Sequence, residues 1–284
     1  MRTAILGADG QLGRDLLPAL RALPLRRADC DLARGDTIAP AVERAAVDVL
    51  VNCAAYNLVD RAESEPDVAF AVNAFGARYL AAACAARGTK LVHFSTDYVF
   101  GSVRAEPPVP LVETDAPGPV SAYGVSKLAG EHFALAASDR NLVIRTCGLY
   151  GAHGAGGKGG NFVETMLRLA REGKPIRVVD DQRCTPTYTV DLAEATKVLI
   201  ERGATGLVHV TSGGECTWYE FAQEIFRLAG LKPDLAPITS AEFGAAARRP
   251  ARSVLSNAKA HALGVPPLRH WSGALAAYLA ARPV

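Results

Sequence analysis

Tyr123 and Lys127 stand four residues apart in Tyr123-Gly124-Val125-Ser126-Lys127, a spacing that puts a phenol and an ammonium on one face of a helix. A positive charge beside a phenol stabilises the phenolate and lowers its pKa, which makes the tyrosine a usable proton donor or acceptor. The pair alone is weak evidence, since chance produces one in a chain of this composition about 0.2 times. It is strengthened by Phe94-Ser95-Thr96-Asp97, which closes an apolar run. A hydroxyl at the C-terminal end of a parallel strand lies where such sheets bind ligands, and it can hydrogen-bond a reacting oxygen. The plainer role of Ser95 and Thr96 is helix capping, which Asp97 also fits.

A second chemical feature opens the chain. Gly7-Ala8-Asp9-Gly10-Gln11-Leu12-Gly13 follows the first apolar run at once and leads into a helical pattern. Glycines at this spacing let a strand turn sharply into a helix whose first amides face a pyrophosphate, with Gly13 allowing the helix close to the sheet. The second strand should end near Leu25, and Arg26-Arg27 follow it, with Asp29 and Asp31 slightly later. Arginines there favour a 2′-phosphate, so NADPH is expected over NADH, which stays as the alternative. Two merely solvated arginines would look the same.

These groups need a scaffold, and the first half of the chain supplies one. Thr3 to Leu6, Val47 to Asn52, Lys90 to Ser95 and Leu142 to Thr146 are short runs rich in Val, Ile and Leu. Helix-length segments such as Val68 to Arg87 separate them. Such alternation predicts a doubly wound parallel α/β sheet of Rossmann type. The run from Gly151 to Gly160 is glycine-rich and reads as a loop. Beyond it come helices near Phe162 to Glu172 and Trp218 to Ala229, strands near Ile176 to Val179 and Leu207 to Thr211, and a Pro-rich polar last third. The division expected is a dinucleotide-binding domain over 1–150, recruiting strands from about 176–212, and a smaller α+β substrate lobe over 151–284.

Bulk properties remove whole classes of function. The 284 residues carry 31 basic and 29 acidic side chains, a net charge of +2, without the surplus a nucleic-acid binder needs. At 49% hydrophobic and 21% charged, the chain has ample material for a core. Its six cysteines are nowhere closer than Cys30 and Cys53, which gives neither a CxxC pair nor a compact disulfide framework. The histidines form no HxxxH pair, and no metal site is evident. The run Ala4-Ile5-Leu6-Gly7 is too short for a signal peptide, and no apolar stretch approaches membrane-spanning length, so a cytoplasmic location is expected. Nothing in the residues selects between a monomer and a homodimer.

Together the glycine turn, the strand-end Ser/Thr and the Tyr-Lys pair resemble the extended short-chain dehydrogenases/reductases. Finer signatures are Gly10-Gln11-Leu12-Gly13, Asn52-Cys53-Ala54-Ala55-Tyr56, Val59-Asp60-Arg61-Ala62-Glu63 and Ser95-Thr96-Asp97-Tyr98-Val99-Phe100. Tyr123-Gly124, Lys127-Leu128-Ala129-Gly130-Glu131 and Arg248-Arg249-Pro250 complete the set. Across nearly the whole chain the sequence is similar to the dTDP-4-dehydrorhamnose reductase family. That resemblance implies hydride transfer from NADPH to the C4 ketone of a nucleotide-linked 4-dehydro-6-deoxysugar, foremost dTDP-4-dehydro-L-rhamnose to dTDP-L-rhamnose. It also implies roles. Tyr123 would protonate the alkoxide, Lys127 would hold the nicotinamide ribose and depress the Tyr123 pKa, and Thr96 and Asp97 would contact the substrate, with Thr96 bonding the reacting oxygen. Gly7, Gly10, Gln11, Leu12 and Gly13 would cover the pyrophosphate, Asp31 and Leu32 would lie by the adenine, and Ala54, Ala55 and Tyr56 beside the dinucleotide. Asn161, Phe162, Arg248, Arg249 and Arg252 would face the nucleotide sugar, arginine suiting a diphosphate through its planar fork.

Two positions depart from the family pattern. Gly148 stands where the family usually carries a tryptophan, and losing that ring is expected to enlarge the sugar pocket. Cys184 replaces a common glycine; with no histidine nearby in sequence, a small substitute is simpler than a nucleophile. Two other functions share these motifs. A nucleotide-sugar dehydratase or epimerase has the same Tyr-Lys pair, but a dehydratase needs a further acid and base, and Thr96 is followed by one carboxylate, Asp97, and then Tyr98. A catalytically silent NADP-binding subunit, like the beta subunit of methionine adenosyltransferase, is the rival from outside enzymes.

Overall fold

Six parallel strands build the central sheet, in the order Leu23–Leu25, Thr3–Leu6, Val49–Asn52, Lys90–Thr96, Leu142–Thr146, Gly206–His209. The computed structural model describes residues 1–102, 109–153 and 160–282. The sheet is covered on both faces, which is why its inner strands are buried at every position rather than alternating. On one face Leu12 and Leu16 of helix Gln11–Leu20 meet Leu192 and Leu199 of helix Thr189–Glu201. On the other, Ile38, Val42, Leu80, Cys84 and Ala134 pack from helices Gly35–Ala45, Ala77–Ala86 and Ala122–Ala137.

After Thr3–Leu6 the chain moves outward to Leu23–Leu25, then crosses back to Val49–Asn52 on the other side. Loops leaving adjacent strand ends diverge there and open a crevice, the switch point at which such sheets bind ligands. The two loops touch: a Cβ on Gly7, whose φ is +80°, would fall 2.7 Å from the Ala54 nitrogen.

The helix expected near Val68 to Arg87 runs from Pro66 to Ala86. It passes through a π turn at Ala71–Gly76 before continuing as Ala77–Ala86. By length and composition alone it could cross a membrane, which corrects the expectation that no stretch is long enough. Its alanines account for this, because Ala74, Ala77 and Ala81 are apolar and small and let the helix lie against its neighbours.

Among the described residues, Gly206–His209 is the one later strand that joins the central sheet, beside Leu142–Thr146. Ile176–Val179 does not, contrary to expectation. The sheet edge is already taken, and Ile176 and Val178 point into a second core with Val163, Leu167, Phe221, Ile225 and Tyr278. That strand pairs instead with Leu235–Ile238. The last third is less polar than it reads, since Leu275 and Tyr278 of helix Trp271–Ala281 are buried in this second core. Of the glycine-rich run, residues 154–159 lie outside the described residues. All six cysteines are free thiols.

Helix Pro66–Ala86 and helix Ala122–Ala137 cross at Gly130, where a Cβ would fall 2.2 Å from the Asn73 carbonyl oxygen. Gly130→Ala is therefore expected to lower stability by about 3 kcal/mol, the upper range for overpacking against backbone. Denaturant unfolding checks this, and a loss under 1 kcal/mol would show that the helices separate freely.

Candidate active site

A cleft of about 1230 Å³ runs from the glycine turn, across the ends of the central strands, to the second lobe. At one end the turn is built as its spacing requires. Gly10 N donates to Gly7 O at 3.0 Å. A Cβ on Gly13 would fall 2.3 Å from that same oxygen. Helix Gln11–Leu20 starts at Gly10 with no side chain capping it and no acidic residue in its first turn. Its first amides are thus open to an anion, favoured there also by the helix dipole.

Arg26 and Arg27 flank the turn. Arg26 Nε donates to Asp9 at 3.3 Å and Arg27 Nε to Asp31 at 3.2 Å, both on the surface. Exposed ion pairs hold side chains weakly, about 0–1 kcal/mol, so either guanidinium can exchange its carboxylate for a phosphate. Asp31, Leu32, Ala54, Ala55 and Tyr56 line the same stretch of cleft with Gln11 and Leu12.

Asn73, in the π turn, is a positioning residue that the sequence reading missed. Its amide accepts from Tyr56 N at 2.9 Å, and it donates to Tyr56 O at 2.9 Å and to Ser126 Oγ at 3.0 Å. One side chain thereby fixes the Ala54–Tyr56 loop against the helix that carries Tyr123 and Lys127. The π turn was the available signal only in three dimensions.

That helix, Ala122–Ala137, begins with Ser121 accepting from Gly124 N at 3.2 Å, while Glu63 accepts from Ala122 N at 2.8 Å. Tyr123 and Lys127 reach the cleft from its first two turns, and Thr96 reaches it from the end of its strand. Desolvation in the cleft raises the Tyr123 hydroxyl, a hydrogen bond with Thr96 opposes this, and the Asp97 charge adds to it. The lowering by Lys127 expected from the sequence is therefore overruled. Lys127 Nζ instead donates to Phe94 O at 2.6 Å, and burial brings its own pKa down to about 8, against the pull of Glu131 and Cys53.

Asp97 lies wholly beneath this centre. Ser253 Oγ donates to it at 2.5 Å, and Thr96 Oγ1 and Cys147 Sγ each at 3.1 Å. Burial raises its pKa and these bonds counter the rise. Its oxygens are held by three protein donors, so Asp97 organises Thr96 and offers no free carboxylate to a ligand. Tyr98, also missed, meets the Tyr123 ring edge-on with centroids 5.8 Å apart.

The lobes join across the cleft. Asn161 Nδ2 donates to Gln11 Oε1 at 3.1 Å and Gly151 O at 3.0 Å, and Asn161 caps helix Phe162–Arg171 by accepting from Glu164 N. Arg249 forms a two-pronged pair with Asp60, at 3.0 and 2.7 Å, so two motifs far apart in sequence lock together at the rim. The other arginines are elsewhere. Arg248 is exposed, and Arg252 donates to Glu215 at 2.6 Å; neither lines the cleft. Their extended segment sends neighbouring side chains to different sides. Gly148 does line it, with φ +53°, and the space beside it is occupied: the Trp218 ring and Pro186 each stand 3.2 Å from where its Cβ would be. Cys184 is buried beside Cys147. Among the described residues no group of three or more His, Cys, Asp or Glu could hold a metal ion.

The whole architecture has known counterparts. Residues 1–283 match the family model described as RmlD substrate binding domain. A dTDP-4-keto-6-deoxy-D-glucose reductase of Streptomyces niveus is 40% identical over 281 residues, covering 96% of this chain and 95% of that protein. A dTDP-4-dehydrorhamnose reductase of Mycobacterium tuberculosis is 41% identical over 286 residues, covering 99% and 93%. Among solved structures, a dTDP-4-dehydrorhamnose reductase of Bacillus anthracis in complex with NADP superposes with a TM-score of 0.91, at 37% identity over 98% of each chain.

Proposed function

The chain belongs to the RmlD substrate binding domain family, and from that premise we propose that it reduces the C4 ketone of a dTDP-linked 4-dehydro-6-deoxysugar with NADPH. The foremost substrate is dTDP-4-dehydro-L-rhamnose, giving dTDP-L-rhamnose. The observation that carries the reading is one cleft shared by an uncapped glycine turn and the Thr96–Tyr123 hydroxyl pair.

The glycine turn suits a dinucleotide. A Cβ at Gly7 or Gly13 would strike backbone, so the cradle exists only with glycine. Gly7, Gly10, Gln11, Leu12 and Gly13 would hold the pyrophosphate, Asp31 and Leu32 the adenine side, and Ala54, Ala55, Tyr56 and Lys127 the rest. NADPH bound there supplies the hydride. The residues of the chain do the remainder. Thr96 holds the ketone oxygen by hydrogen bonding, and Tyr123 donates its phenolic proton to that oxygen as negative charge develops. Desolvation keeps Tyr123 protonated at neutral pH, which is the form a reduction needs. Asn161 and Phe162 supply the sugar side from the second lobe, and Arg249 sits at the rim.

A dehydratase would need a further free acid and base beside Thr96, and Asp97 is fully engaged by Ser253, Thr96 and Cys147. Incubation with NADPH and dTDP-4-dehydrorhamnose, with the product identified by mass spectrometry and NMR, tests the reaction. Absence of turnover with any dTDP-4-dehydro-6-deoxysugar would overturn it.

Replacing both Arg26 and Arg27 by Ala is expected to weaken NADPH roughly tenfold to a hundredfold, since charge-assisted contacts contribute about 1.5–3 kcal/mol. NADH should be little affected. Equal losses for the two cofactors, measured by fluorescence titration, would refute the phosphate assignment.

A further inference from the structure

The cleft that holds Thr96 and Tyr123 also has an aromatic wall. Phe162 and Trp218 both line it and pack on each other, ring centroids 4.8 Å apart. Both are partly exposed, while Phe221, 5.8 Å from Phe162, is buried behind them. Trp218 is firmly placed. It is the first residue of helix Trp218–Ala229, directly after the reciprocal cap formed by Thr217 and Glu220. Thr217 Oγ1 in turn donates to Asp180 at 2.6 Å.

The wall lies close to the reacting centre. Thr146 is the cross-strand partner of Thr96. Cys147, next along the chain, donates to Asp97 at 3.1 Å. Gly148 follows, and the outer edge of the Trp218 ring stands 3.2 Å from the position its Cβ would take. A side chain at 148 would need a strained positive φ and would crowd that ring and Pro186. The space beside the strand end is thus assigned to Trp218, which arrives from the second lobe.

Resting on the reaction proposed above, we infer that Trp218, supported by Phe162, is the specificity-determining residue that seats the deoxyhexose ring. An aromatic face suits the C–H face and the methyl group of a 6-deoxysugar; a base ring stacks on the same kind of face, and binding of dTDP alone separates the two. A rigid ring on a capped helix also loses little conformational freedom when the sugar arrives.

The test uses the full chain and three variants, Trp218→Ala, Trp218→Leu and Trp218→Phe. Calorimetry measures binding of dTDP-L-rhamnose, of dTDP alone and of NADPH, and kinetics measures KM and kcat with dTDP-4-dehydrorhamnose. Ala and Leu should weaken dTDP-L-rhamnose and raise KM about tenfold, in line with the value of one aromatic contact plus its buried area. Binding of dTDP and NADPH should be unchanged, and Phe should restore most of the sugar affinity. Leu keeps apolar volume, so it separates the ring's contribution from core packing if Ala fails to fold. The inference is overturned if the preference for dTDP-L-rhamnose over dTDP survives in the Leu variant, or if all three ligands weaken in parallel. If wild-type protein turns over no ketosugar, the proposed reaction fails, and the dTDP-L-rhamnose to dTDP ratio still reads the ring.

Discussion

Tyr123→Phe is expected to cut kcat/KM by about 10²–10⁴, the usual contribution of a positioned general acid. The affinity for NADPH should survive. Phenylalanine keeps the ring that packs edge-on against Tyr98 and removes only the hydroxyl bonded to Thr96. The fold should therefore be intact, and a melting curve within a few degrees of wild type checks that. The loss should appear in kcat as well as in kcat/KM, because the proton is needed only as the ketone oxygen gains charge. The hydroxyl is held above the ordinary tyrosine range by desolvation and by Asp97. Activity should accordingly show no fall due to ionisation of this acid between pH 7 and 9. A Phe variant retaining more than a tenth of wild-type activity would remove Tyr123 from its assigned role.

Lys127→Met should also abolish most turnover, yet should leave the protein no less stable at pH 7. The ammonium is 3% exposed and its pKa falls from the ordinary 10.5 to about 8. Below pH 8 both folded and unfolded chains carry the proton, and burying that charge costs about 3 kcal/mol on the scale of 1.36 kcal/mol per unit. Between about pH 8 and 10.5 the unfolded chain holds the proton and the folded chain sheds it, so this group's cost is relieved as pH rises. Methionine removes the cost, but it leaves Phe94 O without its donor, a loss of about 1–3 kcal/mol. The two nearly cancel at pH 7. The stability of wild type minus that of the variant should then increase from pH 7.5 to 10. Denaturant titrations of both proteins at several pH values measure it, and a difference that stays flat or decreases would refute a buried, destabilised ammonium.

Much of the site was legible in the residues. The glycine turn and the Tyr-Lys pair depend on local spacing along one turn and one helix, and local spacing survives folding. Thr96 was legible as a cleft residue because the C-terminal ends of parallel strands open into the crevice. The motif Val59-Asp60-Arg61-Ala62-Glu63 was visible only as a pattern; in three dimensions Asp60 holds Arg249 and Glu63 caps the helix of Tyr123. Arg248 and Arg252 were misplaced for a related reason, since an arginine's reach allows neighbours in an extended segment to serve different sides. Trp218 escaped notice because the gap it fills belongs to Gly148, far from it in sequence.

The alternation of short apolar runs and helices by itself determined the doubly wound sheet, and the first glycines determined the tight turn and the uncapped start of helix Gln11–Leu20. Both follow from backbone periodicity and sterics, which act over a few residues. Tertiary structure alone decided which strand closed the sheet edge, which arginine reached the cleft, and that Lys127 bonds Phe94 rather than lowering Tyr123. Those outcomes depend on desolvation and on competition among groups distant in sequence for the same hydrogen bonds and the same space, and no local pattern encodes them.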